Sequence, residues 1–110
     1  MKIVLFRDGQ RGTAVTLPGE HPEAELEELL GGKISFWSFG KTLELAERED
    51  SEEKQLPIRY ALHRLGREPD PIAGDCAVVA VRPDGRIRDI SLRELDAALS
   101  YIRPVGGGDK

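Results

Sequence analysis

The sequence predicts a single α+β domain with a mainly antiparallel sheet and helices packed on one face of that sheet. Three observations support this prediction. The chain has 110 residues, of which 39% are hydrophobic, and this is the size and composition of one globular domain. Its β-branched runs are joined by turn residues, so consecutive strands are expected to be antiparallel. Each of three strand pairs precedes a helical pattern, which gives the order ββαββαββα over residues 1–104.

The first strand pair and the first helix open the chain. Residues 3–6 and 13–17 are rich in β-branched side chains, and Asp8-Gly9 between them supplies a residue that adopts positive φ, which predicts a hairpin. Pro22 suits the first turn of a helix, glutamates and leucines follow it, and Gly31-Gly32 marks the end. We therefore expect a short acidic helix here.

The second strand pair carries aromatic residues on both faces of its first strand. Residues 33–39 alternate, with Trp37 and Phe39 on one face and further apolar side chains on the other. Such a strand is expected to be covered on both sides or to border a partner. Residues 42–47 form its predicted partner strand, and residues 48–55, which contain no apolar side chain, are predicted to form a solvated loop.

A second helix is predicted over residues 56–65. Its apolar residues recur at positions i, i+3, i+4 and i+7, the spacing of an amphipathic helix whose apolar side faces the core. They are Ile58, Ala61, Leu62 and Leu65. Gly66 is placed to end this helix.

The last strand pair and the last helix complete the predicted domain. Residues 72–81 are the most hydrophobic stretch and predict a central strand, which a turn at Pro83-Asp84-Gly85 joins to residues 86–90. Ser91 and Glu94 have the spacing of a capping box, so a helix is expected to begin there. The apolar face of this helix consists of Leu92, Leu95, Leu99 and Ile102. Pro104 and the glycines after it predict a flexible tail over residues 105–110.

Several short motifs resemble a known family. A Leu-rich helix ends in Gly-Gly before a strand, Leu-Pro follows an acidic loop, and an apolar Ile-x-Gly-Asp strand comes later. These motifs are Leu29-Leu30-Gly31-Gly32-Lys33-Ile34, Leu56-Pro57, Ala61 with Leu62 and Leu65, and Ile72-Ala73-Gly74-Asp75. Over about residues 2–82 the chain resembles the domain of unknown function 3846 family, small proteins of bacteria, phages and mobile elements. Arg59 stands where that family usually has Asn. The resemblance implies a fold and a genomic setting, and it implies no reaction.

A group of cationic residues is the first candidate binding site. Arg59, His63 and Arg67 recur at helical spacing on the polar side of the predicted second helix, and Arg64 lies beside them. Cations on one stripe repel each other unless an anion neutralises them, so a phosphate or an acidic partner would fit. The alternative is a solvated face whose arginines pair with the Glu-rich loop 47–53.

The aromatic pair Trp37 and Phe39 is the second candidate site. Both side chains lie on one face of the predicted strand, and aromatic residues are enriched at the energetic centres of protein interfaces. The alternative is that both are needed inside the core.

No catalytic, metal or cofactor site is expected. Cys76 with His63 as its base would be a conceivable nucleophile, but Cys76 opens an apolar strand, where a thiol is buried and inert. His21 and His63 are the only histidines, and neither has a second ligand at metal-binding spacing. The glycine-rich segments lack the strand and helix context of a nucleotide-binding loop.

The charge balance and cysteine content bear on compartment and partners. A single cysteine and the absence of a long apolar leader predict a cytoplasmic protein without a membrane segment. The net charge of −4 divides into −6 for residues 1–53 and +2 for residues 54–110. It disfavours nucleic acid as a general partner while leaving it open.

We therefore expect a small accessory protein without enzymatic activity that binds another macromolecule, most simply a protein. One alternative is a binder of an anionic ligand or nucleic acid through Arg59, His63 and Arg67. A second alternative is a homo-oligomer that associates through an edge strand.

Overall fold

The computed structural model describes residues 1–105, and the α+β class is confirmed. The elements of this part of the chain are β1 (Lys2–Phe6), β2 (Thr13–Thr16), α1 (Pro22–Leu30), β3 (Ile34–Ser38), β4 (Leu43–Arg48), β5 (Ile58–Leu62), β6 (Asp70–Ala73), β7 (Cys76–Val81), β8 (Ile87–Arg88), α2 (Leu92–Tyr101) and β9 (Ile102–Pro104). The predicted order ββαββαββα is wrong, because strands occupy the region between β4 and α2.

The strands form two antiparallel sheets. The main sheet has the order β2-β1-β7-β4-β3, and β8 pairs with the end of β7. The small sheet has the order β6-β5-β9. Every strand pair is antiparallel, which confirms the predicted pairing mode. The strands β2 and β3 are the two outer edges of the main sheet.

Two cores lie on opposite faces of the main sheet, since successive residues of its strands point to alternate faces. The core beside α1 contains Ile3, Leu5, Leu26, Leu30, Ala46, Ala77 and Val79. The core beside the small sheet and α2 contains Val4, Phe6, Leu45, Tyr60, Ile72, Val78, Ala98 and Ile102. The prediction that the helices share one face is therefore wrong. Residues 76–80 are all buried, and a strand with no solvated face must be covered on both sides.

The predicted second helix is a β-strand. Residues 58–62 form β5, which pairs with β6 on one side and with β9 on the other. Tyr60 and Leu62 alternate into the core, whereas Leu65, the last member of the predicted apolar stripe, is fully exposed. The backbone of this segment is paired with residues far away in the sequence, so a locally helical spacing does not decide its conformation.

The hydrophobic stretch 72–81 is divided between the two sheets. Gly74 has φ +76°, a left-handed conformation that glycine adopts without strain, and its N–H donates to the carbonyl of Pro57 at 2.8 Å. The chain thereby leaves β6 of the small sheet and enters β7 at the centre of the main sheet. The predicted central strand is confirmed for residues 76–81 only.

A capping box defines the start of α2, and the apolar face of this helix differs from the predicted one. Ser91 Oγ accepts from the N–H of Glu94 at 3.2 Å, and the Glu94 carboxylate accepts from the N–H of Ser91 at 3.0 Å, so the predicted capping box is confirmed. The predicted apolar face is corrected at both its ends: Leu92 is exposed, and Ile102 is buried within β9.

The chain continues beyond the predicted end of the domain. The N–H of Val105 donates to the carbonyl of Arg59 at 3.0 Å, so residue 105 still contacts the small sheet. The remainder of the predicted tail, residues 106–110, lies outside the described residues. Neither helix within residues 1–105 is both long and apolar enough to span a membrane.

Candidate functional site

The cationic residues do not share a helix face. Arg59 lies within β5, whereas His63, Arg64 and Arg67 lie in the connection from β5 to β6. The predicted stripe with helical spacing is therefore wrong, because the segment that carries it is a strand and a loop. Arg64 forms an ion pair with Asp70, so its partner is a residue of β6 and not one of the Glu-rich loop 47–53.

Arg64 and Trp37, which the sequence placed in separate sites, line one cleft between the two sheets. This inter-sheet cleft has a volume of about 270 Å³ and is lined by residues of both sheets. Its lining residues are Trp37, Ser38, Leu45, Glu47, Leu62, Arg64, Asp70, Pro71 and Ile72. Of these nine, only Trp37 and Arg64 were predicted as site residues; the two acidic residues, Glu47 and Asp70, were not.

The register of β3 on β4 positions the main-sheet wall of the cleft. Trp37 pairs with Leu45, and Ser35 pairs with Glu47. Leu45 belongs to the core beneath the small sheet, so its pair partner Trp37 and its same-face neighbour Glu47 face the small sheet as well. Glu47 is thus the one acidic residue on the inward face of β4.

The two aromatic residues of the second candidate site have different surroundings. Trp37 is 58% exposed. Phe39 is partly buried against the core, and its ring centroid lies 5.8 Å from that of Tyr101 at an interplanar angle of 81°. This edge-to-face contact is a packing interaction. Of the two, Trp37 is the side chain available to a partner.

The carboxylate of Glu47 has no partner within the cleft. Burial raises the pKa of Glu47 above its ordinary value, because the charged form loses hydration there. Among residues 1–105, no hydrogen bond or ion pair involves this side chain. Arg64 is engaged with Asp70, and its Nε is buried without a hydrogen-bond partner. The cleft therefore carries one carboxylate that no cation of residues 1–105 neutralises.

A sequence signal for Glu47 was present. Leu43 and Leu45 share one face of the predicted strand, with Glu44 on the other, and continuing this alternation places Glu47 on the leucine face. A charged residue in line with buried leucines marks a boundary between core and solvent. Asp70 had no such signal, because the predicted strand began at residue 72, whereas β6 begins at Asp70.

Arg59 lies in a smaller pocket of about 190 Å³, together with Arg48, Asp8 and Asp75. Arg48 donates to Asp50 at 2.7 Å and to the carbonyl of Leu30 at 3.0 Å. Asp75 accepts from the N–H of Asp8 at 2.9 Å. These contacts join loops and strand ends, which assigns them a structural role.

Several residues that carry the family resemblance come together at this same pocket. They are Leu30, Leu56, Pro57, Gly74 and Asp75. A Cβ on Gly74 would lie 3.0 Å from Leu56, so the close approach of these two motifs depends on glycine. The motifs that are separated in the sequence thus form one structural contact between the sheets.

The structure supplies no activated nucleophile at Cys76. Its side chain is buried, and burial raises the pKa of the thiol well above its ordinary value, which disfavours the reactive thiolate. No cluster of three or more His, Cys, Asp or Glu residues suited to a metal ion occurs within residues 1–105.

Comparisons with family models, with curated proteins and with solved structures find no match for this chain. The resemblance to the domain of unknown function 3846 family therefore stays an expectation from the sequence.

Proposed function

We propose that this chain is a cytoplasmic accessory protein without enzymatic activity that binds an extended segment of another protein along β3. The observation that carries the proposal is the position of Trp37. This large aromatic side chain is 58% exposed and lies on β3, an outer strand of the main sheet whose free edge pairs with no other strand of residues 1–105.

The backbone of β3 offers regularly spaced donors and acceptors at that edge. The N–H of Phe39 donates to Leu43, and the carbonyl of Lys33 accepts from Glu49, so residues 33 and 39 point their backbone groups towards β4. In an antiparallel ladder this orientation alternates along the strand. The backbone groups of Ile34, Phe36 and Ser38 therefore point away from the sheet.

An extended peptide can pair with such an edge and continue the sheet. In this mode of recognition the backbone hydrogen bonds supply affinity, and side-chain pockets supply specificity. Trp37 is a side chain that can supply this specificity, since tryptophan is enriched among the residues that dominate binding energies. An exposed edge with an aromatic residue is an aggregation hazard in isolation, and a binding partner would remove that hazard.

The arrangement of the cations favours this proposal over an anion-binding surface. Binding of an anion through Arg59, His63 and Arg67 relied on a shared helix face. In the structure Arg59 is on β5, and the other two residues are in the loop that follows it. Phosphate contacts need clustered cations, and the helical spacing that would have clustered these three residues is absent from residues 58–67.

A peptide selection tests the proposal. Random peptides displayed on phage are selected on the immobilised full chain, and the affinities of the synthesised peptides are then measured against a matched pair of variants. Ser38→Pro removes an outward N–H without removing a backbone hydrogen bond to β4, and Pro is tolerated on edge strands. It also removes the hydroxyl that donates to Glu44 of β4 at 3.4 Å. Ser38→Ala removes the same hydroxyl but keeps the N–H.

We expect Ser38→Pro and Trp37→Ala to weaken peptide binding by about tenfold or more, and Ser38→Ala to change it by less than about twofold. Circular dichroism confirms that each variant is folded. Equal binding to the proline and alanine variants, or the recovery of no binding peptide, would overturn the proposal. A dimer that sedimentation velocity detects and that Ser38→Pro dissociates would assign the edge to a second copy of the chain instead.

A further inference from the structure

We infer that the inter-sheet cleft takes a basic side chain, lysine or arginine, from the protein segment that pairs with β3. This inference rests on the proposed function and adds the chemistry of the partner. It follows from three features of the cleft: a carboxylate unpaired among residues 1–105, an exposed indole in the lining, and apolar walls.

Glu47 supplies the charge that selects the occupant. Its carboxylate is half-buried and has no ion pair or hydrogen bond among the described residues. An acidic side chain of the partner would be repelled by it. An apolar side chain would cover it and leave a buried charge without compensation, which is costly. A cation is attracted to this carboxylate and neutralises it.

The remaining charges of the cleft do not reverse this preference. Arg64 and Asp70 form an ion pair and together contribute no net charge. Since Glu47 is the third charged residue that lines the cleft, the cleft as a whole carries one net negative charge. The electrostatic field of the cleft therefore attracts a cation.

Trp37 and the apolar walls fit the shape of a basic side chain. A cation over the face of an indole is attracted by the ring electrons, and tryptophan is the strongest partner in this interaction. Lysine and arginine also have aliphatic stems that pack along apolar surface while the charged end remains polar. Leu45, Leu62 and Ile72 provide such a surface.

Strand pairing brings a partner side chain to the cleft. In a peptide added to β3, the residues opposite Ser35 and Trp37 point to the same face as these residues. That is the face of Leu45 and Glu47, since the β3–β4 register pairs Trp37 with Leu45 and Ser35 with Glu47. Backbone pairing and occupation of the cleft are therefore compatible in one extended peptide.

The experiment uses Trp37 as its own reporter, since the chain contains one tryptophan. Threonine-rich peptides that differ at one central position, with lysine, arginine, norleucine or glutamate, are titrated into the full chain while tryptophan emission is recorded. The matched variants are Glu47→Gln and Glu44→Gln. Both residues belong to β4, but Glu44 pairs with Ser38 and faces the α1 side.

We expect the lysine and arginine peptides to bind about tenfold tighter than the norleucine peptide, and the glutamate peptide to bind most weakly. Glu47→Gln should abolish this preference, and Glu44→Gln should preserve it. A norleucine peptide that binds as tightly as the lysine peptide, or an equal effect of the two glutamine variants, overturns the inference.

A titration with n-butylammonium separates this inference from the proposed function, because this cation has no backbone to pair with β3. An emission change that Glu47→Gln removes supports the cation site even if no peptide pairs with the edge. Peptides that depend on the N–H of Ser38 but not on their charge support edge pairing and overturn the cation site. The absence of any Glu47-dependent change with peptide and amine alike also overturns it.

Discussion

Trp37 of β3 and Glu47 of β4 are diagonal neighbours on one face of the main sheet, because Trp37 pairs with Leu45 and Glu47 follows two residues later. Diagonal partners are within reach of a large aromatic side chain. The indole and the carboxylate consequently line the same cleft, and the carboxylate loses hydration to its apolar surroundings without gaining a partner.

Glu47→Gln is expected to raise the melting temperature at pH 7. Burial raises the pKa of Glu47, so the folded state disfavours the charged form that predominates at neutral pH. The penalty is absent where the carboxyl is protonated, and it grows as the pH rises through the unfolded pKa of about 4.3. Thermal melts at pH 7 and about pH 3 should show a gain at pH 7 that shrinks in acid.

Glu44→Gln is the control for this measurement, and it should leave the melting temperature nearly unchanged at both values of pH. A lower melting temperature for Glu47→Gln at pH 7 would contradict the expectation. A gain would mean that the native residue costs stability, which is the usual behaviour of a residue retained for binding.

Trp37→Ala and Phe39→Ala are expected to differ sharply in stability. Trp37 is largely exposed, and surface substitutions usually change the free energy of unfolding by less than about 0.5 kcal/mol. Phe39 packs on the core and on Tyr101, so its truncation should cost about 1–3 kcal/mol. Urea unfolding of both variants measures the difference, and similar costs would show that Trp37 packs in solution.

Local signals in the sequence were sufficient for the first hairpin, α1 and the capped start of α2. Gly31, with φ +91°, ends α1 where the Gly-Gly pair predicted, because a left-handed terminal residue favours glycine. The capping box at Ser91 likewise requires only residues of one turn. These features depend on neighbours in the sequence and are therefore readable from it.

The second sheet could not be predicted in the same way. Residues 58–62 have apolar spacing that fits a helix, and what makes them a strand is pairing with residues 70–73 and 102–104. This pairing joins residues that are far apart in the sequence. The prediction of a helix rested only on the local spacing of apolar residues and did not include such pairing. One clue was available, because Tyr60 lies on the polar side of the predicted helix yet alternates with Leu62 as in a strand.

The candidate site was predicted in pieces. Trp37 and Arg64 were identified as separate surfaces, and only the packing of the small sheet over β4 brings them to one cleft. The predicted cationic group relied on helical spacing and contained Arg59, His63 and Arg67. Because residues 58–62 form a strand, Arg59 lies in β5 and the other two residues lie in the loop after it. Residue type was thus a better guide to the site than spacing derived from an assumed helix.

Glu94→Gln is expected to lower the free energy of unfolding by about 1.5–3 kcal/mol, the usual range for hydrogen bonds to a charged group. The Glu94 carboxylate accepts from Arg88 at 2.9 and 2.7 Å and from Thr42 at 2.6 Å. The bonds from Arg88 hold the pKa of Glu94 far below its ordinary value. This contribution is therefore present above the unfolded pKa of about 4.3 and is lost as the pH falls further.

Chemical unfolding at a series of pH values checks this expectation. The difference between the wild type and Glu94→Gln should be constant from about pH 5 to pH 7 and should narrow in acid. Asp96→Asn is the matched control, since Asp96 is an exposed acidic residue of the same helix. A cost for Asp96→Asn equal to that for Glu94→Gln would assign the effect to net charge and not to the network.

Tyr60→Phe is expected to cost about 1 kcal/mol of unfolding free energy, because it removes one buried hydrogen bond. The Tyr60 hydroxyl donates to the carbonyl of Gln10 at 2.6 Å, which joins β5 to the β1–β2 turn. The edge-to-face contact with Phe6, with ring centroids 5.5 Å apart, is kept in the variant. The hydrogen bond is therefore the main interaction that the substitution removes.

Alkaline titration of the phenol checks the same contact independently. Burial raises the pKa of Tyr60 to about 12, so the neutral phenol is favoured in the folded state, and its contribution to stability declines as the pH rises above the unfolded pKa of about 10. Tyr60→Phe should remove the absorbance step near pH 12, and Tyr101→Phe should leave it in place. A step near pH 12 that persists in Tyr60→Phe would contradict the burial of the Tyr60 phenol and its contact with Gln10.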